Sequence, residues 1–204
     1  MNLQIGQPAA PTFAEPLALL SDCHRRVERF LEALRTVGRL APKRPLNPVE
    51  REALETSLRY FREAAPRHTA DEEESLFPRL RQVDPAEVAT ALAQLDRLER
   101  DHQTAAPHHA LLETLGQRWL AAGCLSPDEA DSFLHAAEEL IVLYTKHIAL
   151  EDGEIFPLAA RLLSASALVE IGQEMARRRG LFPGSIPARR KDHSHASTLP
   201  FQTL

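Results

Sequence analysis

Apolar residues recur at alternating spacings of three and four along most of the chain, the period that places them on one face of an α-helix. Four long segments carry such a stripe, and each stripe includes at least one histidine. In chain order the stripes are Leu17, Leu20, His24, Val27, Leu31 and Leu34; Leu54, Leu58, Phe61, Ala65, His68 and Glu72; Leu95, Leu98, His102, Ala105, His109 and Leu112; and Phe133, Ala137, Leu140, Tyr144, His147 and Glu151. The pattern predicts four long helices whose striped faces meet in one core.

Prolines mark where most of these helices begin, because the first helical turn accepts a proline behind a side chain that caps the helix. Asn47-Pro48, Asp84-Pro85 and Ser126-Pro127 each have a glutamate two residues after the proline. The predicted helices run from Pro16 to about Leu40, from Pro48 to about Arg81, from Pro85 to about Ala122, from Pro127 to about Glu154, and from about Ala165 to Arg179. We therefore expect an all-α fold, an up-down-up-down four-helix bundle with an additional short C-terminal helix.

The length of the chain, 204 residues, suits one large core rather than two. We expect the bundle at residues 15–163, an N-terminal extension at 1–14, an accessory helix at 164–180 and a disordered basic tail at 181–204. Aromatic residues make up only 5% of the chain and there are 8 glycines, which is typical of helices rather than sheets. Composition thus agrees with the pattern.

Charge and hydropathy exclude several classes of partner. The net charge is −5, and because residues 177–204 are strongly basic, the remaining part carries about −10. An acidic body argues against nucleic acid as a partner, since phosphate binding needs a basic surface. No signal-like N-terminus and no stretch of about 18 apolar residues is present, so we expect a cytoplasmic protein without a membrane partner. Cys23 and Cys124 form no CxxC pair, which fits a reducing compartment.

The polar residues on the apolar stripes are arranged as an internal repeat. His68 and Glu72 are four residues apart and precede Phe77-Pro78, and His147 and Glu151 stand in the same arrangement 79 residues later, before Phe156-Pro157. His24 and His102 are 78 residues apart. Residues four apart share a helix face, so the chain reads as a duplicated helical hairpin that brings two polar sets together.

An unpaired imidazole or carboxylate in a bundle core costs several kcal/mol, so this set needs a compensating partner. The predicted metal ligands are His24, His68, Glu72, His102, His147 and Glu151. Nitrogen and oxygen ligands without thiolate suit iron, manganese or zinc, and iron is the leading choice, because bundle cores hold di-iron carboxylate centres. The two glutamates would each bridge two metals, with open positions left for water, hydroxide or oxygen.

The segments around these residues resemble the hemerythrin-like, or HHE cation-binding, family over roughly residues 15–163: DCHRRVERF, HTADEEESLFP, Asp101-His102 and HIALEDGEIFPLA. The resemblance implies a non-heme di-iron site, oxo- or hydroxo-bridged, with the same six residues at ligand positions. The oxygen carriers of the family have a second histidine four residues along the third helix, where this chain has Ala106. They also use an aspartate five residues after the last histidine. Here that residue is Asp152, so we favour Glu151 from the repeat and keep Asp152 as the alternative.

The missing histidine disfavours reversible oxygen carriage. We expect a site that senses or handles oxygen, redox state, nitric oxide or iron, with a diatomic molecule or peroxide as its small ligand and no protein partner specified. A di-iron oxidoreductase acting on peroxide, oxygen or nitric oxide is one alternative, and a structural zinc bundle is another.

A few further residues have two interpretations each. The Tyr144 hydroxyl could hydrogen-bond to a metal ligand or a bound oxygen species, or the side chain could simply pack in the core. Glu73 or Glu74 could supply an extra metal ligand. We expect His109 to be structural or to support a metal ligand from behind, and Arg177, Arg178 and Arg179 to form a solvated helix end.

Overall fold

The computed structural model describes residues 11–40 and 44–181, and within these ranges the secondary structure is entirely helical. In chain order the helices are α1 (Pro16–Leu40), α2 (Pro48–Glu63), α3 (Ala65–Asp71), α4 (Phe77–Leu80), α5 (Pro85–Ala122), α6 (Pro127–Leu150), α7 (Phe156–Leu162) and α8 (Ala165–Arg178). Two π-helical turns, Glu72–Leu76 and Glu151–Ile155, join α3 to α4 and α6 to α7. The all-α prediction is therefore correct.

Several predicted boundaries agree with the structure, and two do not. The first and third predicted helices coincide with α1 and α5, and α5 continues through Pro107. The second predicted helix is divided at Ala64 and again by a π-helical turn, and the fourth continues to Leu162 instead of ending near Glu154. The basic tail and most of the N-terminal extension lie outside the described residues, so those predictions stay predictions, as does the division into domains.

Reciprocal hydrogen bonds at the N-termini explain why two of the proline signals were informative. The side chain of Asn47 accepts a hydrogen bond from the backbone N–H of Glu50 at 2.9 Å, and the Glu50 carboxylate accepts one from the N–H of Asn47 at 2.9 Å. Ser126 and Glu129 form the same capping box at the start of α6. These interactions involve only neighbouring residues, so the sequence alone determines them.

The long helices contact one another in a closed ring. Helix α1 packs against α2 and α6, and α5 packs against the same two helices. The up-down-up-down order stays a prediction, although a helical bundle is evident. No helix in the described ranges is both long enough and apolar enough to cross a membrane.

A layer of polar side chains divides the core into two apolar clusters. The first cluster includes Leu31, Leu58, Trp119 and Phe133, and the second includes Leu20, Phe77, Leu98, Ile155 and Met175. On α1 and α5 a predicted site residue falls between the two clusters: His24 lies between Leu20 and Val27, and His102 lies between Leu98 and Ala105. The site therefore occupies a polar cross-section of an otherwise apolar bundle, which we call the polar layer.

Each π-helical turn begins at a site glutamate and ends just before a Phe-Pro pair. The N–H of Phe77 bonds to the carbonyl of Glu72, and that of Phe156 bonds to the carbonyl of Glu151, both five residues back. A proline lacks the N–H that the next α-helical bond requires, and its ring collides with the carbonyl four residues earlier. One wider turn relieves that collision, so Pro78 and Pro157 account for a π-helical turn at each site glutamate.

Helix α8 packs against α1, α3 and the first π-helical turn, and two of the three arginines at its terminus correct our expectation of a solvated helix end. Arg178 and Arg179 donate to the two carboxylate oxygens of Asp71, at 3.0 and 2.7 Å, and Asp71 is completely buried. A Cβ at Gly172 of α8 would lie 1.9 Å from the carbonyl oxygen of Phe13, so only glycine fits there. Helix α8 is thus attached directly to the segment that precedes Glu72.

Candidate metal centre

The six predicted residues meet in the polar layer. His24 comes from α1, His68 from α3, His102 from α5 and His147 from α6, while Glu72 and Glu151 begin the two π-helical turns. Both glutamates are 0% exposed, and all four imidazoles are nearly as buried. The convergence expected from the repeat is present in the structure.

Glu151 lies between imidazoles from the two halves of the repeat. Its Oε2 atom is 3.1 Å from Nε2 of His24 and 3.2 Å from Nε2 of His147. Neither carboxylate oxygen of Glu151 makes a hydrogen bond to any described residue. The carboxylate is therefore shared by the two halves and left without the partners that burial normally requires.

Glu72 occupies the corresponding position on the other side. Its Oε1 atom is 3.2 Å from Nε2 of His68 and 3.7 Å from Nε2 of His24, and its Oε2 atom is 3.6 Å from Nε2 of His102. Among the described residues its two oxygens also have no hydrogen-bond partner. Oε1 thus faces the two histidines of the first half of the repeat, and Oε2 faces a histidine of the second half.

Two groups of these side chains have ligand atoms close enough together to hold a metal ion. One consists of His24, His68 and Glu72, and the other of Glu72, His102 and His147; in each, the ligand atoms lie within 4.8 Å of one another. The Nε2 atoms of His102 and His147 are 3.2 Å apart. Glu72 belongs to both groups, so the two candidate groups share one carboxylate.

The carboxylates that follow the two site glutamates bind the outer nitrogens of two histidines. Asp152 lies 3.0 Å from Nδ1 of His24, and Glu73 lies 2.7 Å from Nδ1 of His102. Asp152 also accepts a hydrogen bond from Ser21 at 2.7 Å and pairs with Arg25. Asp152 and Glu73 therefore contact the histidine nitrogen that faces away from the cluster. Each of the two carboxylates directly follows a buried site glutamate in the sequence.

The remaining candidates lie beside this cluster. The Tyr144 hydroxyl is 3.0 Å from Nε2 of His109, and the Tyr144 ring stands edge-on to the His147 ring, with 5.8 Å between their centroids. Ala106 is exposed, so its position on α5 does not face the cluster. Glu74 points outward and pairs with Arg178.

Burial and mutual contacts shift the pKa values of the polar layer in opposite directions. Burial by itself lowers the pKa of His24, but the carboxylates of Asp152, Glu151 and Glu72 together raise it to about 11. Burial and the neighbouring Glu151 raise the pKa of Glu72 to about 8. In the metal-free protein His24 and Glu72 therefore each hold a proton that a bound cation would displace.

The other members of the layer complete this picture. Burial opposes ionisation of Glu151, yet the adjacent imidazoles of His147 and His24 lower its pKa. Burial, assisted by the positive charge on His24, lowers the pKa of His68 to about 3. Burial and the neighbouring His147 also lower the pKa of His102. His68 is thus a neutral imidazole at physiological pH, which is the form that binds metals.

Comparison with known proteins identifies the family. The model of the hemerythrin HHE cation-binding domain matches residues 15–159, which is more than half of the chain. This chain belongs to the hemerythrin HHE family. The hemerythrin-like chain is also 32% identical over 183 residues to a protein of Haemophilus influenzae described as uncharacterized, and the alignment covers 87% of this chain and 98% of that protein. The family and the buried His/Glu cluster together make this a metal-binding helical protein.

Sequence reasoning missed some residues of the hemerythrin-like site. Asp101 Oδ2 lies 3.6 Å from Nδ1 of His147, and Ser21 supports Asp152. The repeat offered a signal for the outer carboxylates, because Glu73 and Asp152 both directly follow a site glutamate. It offered none for Ser21, whose contact depends on how α1 packs beside the second π-helical turn.

Proposed function

We propose that this protein binds two iron ions in the polar layer and uses them to sense or handle oxygen, nitric oxide, peroxide, redox state or iron. His24 and His68 would hold one ion, His102 and His147 the other, and Glu72 and Glu151 would be shared. The observation that supports this best is that each glutamate is fully buried and faces imidazoles of both pairs. We also propose the up-down-up-down helix order, which the ring of contacts between the long helices supports.

The separations between ligand atoms fit a metal centre. Two ligand atoms about 2.1 Å from one ion and at right angles lie about 3.0 Å apart. The Nε2–carboxylate distances of the layer range from 3.1 to 3.7 Å. Mixed imidazole and carboxylate ligands without thiolate favour iron over softer ions, and helical bundles commonly build di-iron sites from them. When bound, iron supplies one-electron chemistry and a position for a small ligand.

The protein's own residues would orient the ligands and exclude water. Asp152 and Glu73 hold Nδ1 of His24 and His102, which fixes Nε2 toward the layer. The apolar clusters on both sides exclude bulk water and larger molecules, so the ligand class is a diatomic molecule or peroxide. Sensing is favoured over reversible carriage, because α5 contributes His102 and no second histidine of the described cluster.

Metal analysis of the purified protein tests this proposal. We expect about two irons per chain, and an absorption change when the anaerobically reduced protein meets air. Glu72→Gln should lower the iron content to one ion or less, since both positions lose a shared ligand. His135→Ala alters an exposed histidine on α6 and serves as the matched control, with unchanged iron. Stoichiometric zinc without a redox response would refute the iron proposal, and rapid turnover of peroxide or nitric oxide would indicate an enzyme instead of a sensor.

A further inference from the structure

The two imidazole pairs differ in what lies behind their outer nitrogens. In the His102/His147 pair, Nδ1 of His102 is 2.7 Å from Glu73, and Nδ1 of His147 is 3.6 Å from Asp101. In the other pair, Nδ1 of His24 is 3.0 Å from Asp152. Nδ1 of His68 and Nδ1 of His147 are both buried without a hydrogen-bond partner among the described residues, but only the Nδ1 of His147 has a described carboxylate within 4 Å, that of Asp101. Each pair therefore has one hydrogen-bonded carboxylate at an outer nitrogen, and the His102/His147 pair has a second carboxylate close by.

The internal repeat traces this difference to one position. Asp101 directly precedes His102, and 78 residues earlier Cys23 directly precedes His24. The repeat therefore places a buried thiol where the second half has a carboxylate. Asp101 is 23% exposed and reaches the edge of the layer from α5. The halves match in their ligands and differ in this support.

A histidine that binds a metal through Nε2 keeps a proton on Nδ1, and that N–H needs an acceptor. A carboxylate acceptor fixes the ring and makes Nε2 a stronger ligand, and loss of such a partner typically lowers metal affinity by about 10- to 100-fold. A buried N–H without an acceptor is itself unfavourable. His147 needs only a small approach of Asp101 to gain this support, while no described carboxylate lies within 4 Å of Nδ1 of His68.

We infer that the two metal positions are unequal, that the His102/His147 position fills first, and that Asp101 is the positioning residue that sets this order. The inference rests on the proposed two-metal site. Its chemical class of ligand is a first-row divalent cation. The two ions should therefore bind in separate steps, and the first ion should stay bound at free metal concentrations too low for the second to bind.

Titration of the metal-free full-length protein with Co²⁺, followed by calorimetry and visible absorption, tests the order. We expect two steps, one ion each, separated by about 10- to 100-fold in affinity. His68→Ala should keep the tighter step and lose the weaker one, whereas His147→Ala should lose the tighter step. A single two-ion step, or loss of the tighter step in His68→Ala, overturns the inference while leaving the two-metal function intact. Absence of any cobalt binding overturns both.

Substitution of the positioning residue tests the cause. Asp101→Asn should weaken the tighter step by about 10-fold or more and leave the weaker step unchanged. Cys23→Asp should strengthen the weaker step and bring the two together, with Cys23→Ser as the control of similar size without the carboxylate. The thermal midpoint of metal-free Asp101→Asn should match the wild type, which a merely structural role would not predict. Equal weakening of both steps, or no change in either, refutes the assignment of Asp101.

Discussion

Glu72 and Glu151 have no exposed surface, in a core otherwise made mainly of leucine, alanine and aromatic side chains. A carboxylate at such a position must be neutralised, paired or bound to a cation. In the metal-free protein the two carboxylates differ: burial and Glu151 raise the pKa of Glu72 to about 8, while the adjacent imidazoles of His147 and His24 outweigh burial and lower the pKa of Glu151. One is mostly protonated near neutral pH, and the other is an anion between imidazoles.

This contrast predicts unequal effects of two identical substitutions. In the metal-free protein at pH 7, Glu72→Gln should change the free energy of unfolding by less than about 1 kcal/mol, because glutamine resembles the protonated carboxyl. Glu151→Gln should cost about 3 kcal/mol, because it leaves the imidazoles without their shared anion. Urea denaturation with a chelator present measures both values. Equal losses would show that Glu72 is also ionised in the metal-free protein.

His109 supplies a dependence on pH that does not involve the metal ligands. Burial, with a smaller contribution from His108, lowers its pKa to about 4, whereas an unfolded histidine titrates near pH 6.5. Between these values the unfolded state binds more protons, so stability falls as pH decreases. From pH 6.5 to 4.5, this residue should account for a loss of about 2 kcal/mol.

The matched variant for this effect is His109→Gln, which keeps a side chain able to bond to the Tyr144 hydroxyl. Its free energy of unfolding should fall less on acidification than that of the wild type, by about the same 2 kcal/mol. Parallel pH profiles for the two proteins would contradict the assignment. Denaturation of both metal-free proteins at the two pH values provides the comparison.

At the level of elements, helix α8 is attached to the site through one buried carboxylate. Asp71 ends α3 directly before Glu72 and binds Arg178 and Arg179 of the α8 terminus. The same terminus reaches the first π-helical turn, because Arg178 donates to Ser75 at 2.9 Å. A change in the position of Glu72 would therefore act on α8 directly, through the contacts of Asp71 and Ser75 with the arginines of that helix.

Asp71→Asn removes the charge from this connection. We expect it to destabilise the protein by about 2 to 3 kcal/mol, since it leaves two partly buried guanidinium groups without their anion. Hydrogen exchange should increase in α8 before it does in α5. Arg177→Ala is the control, because that side chain is 54% exposed and should change stability by less than about 0.5 kcal/mol. Similar effects of the two substitutions would exclude a special role for Asp71.

For the molecule as a whole, the polar layer separates two apolar clusters that each draw side chains from several helices. Within the polar layer the helices are therefore held together by polar contacts rather than by apolar packing. A cation bound there would join helices from both halves of the repeat. Metal binding and global stability should therefore be linked.

Metal addition should raise the stability of the whole protein by about 2.7 kcal/mol at a free concentration 100 times the dissociation constant. The expected observation is a single thermal transition that moves upward with Fe²⁺ under anaerobic conditions and returns after chelation. His147→Ala should show a smaller shift, and His135→Ala the same shift as the wild type. An unchanged midpoint at saturating metal would mean that the unfolded chain binds equally well.

The sequence by itself determined the helical class, most helix starts and the candidate residues of the polar layer, with Glu151 and Asp152 left as alternatives. These features depend on local physics: the helical period, capping by Asn47 and Ser126, and a repeat that places His68/Glu72 and His147/Glu151 in equal registers. Tertiary structure decided what lies across helices. It placed Glu151 in the layer and Asp152 on the outer nitrogen of His24, and it directed Arg178 and Arg179 to Asp71 instead of solvent. These contacts cannot be read from spacing, because each depends on how helices distant in sequence pack together.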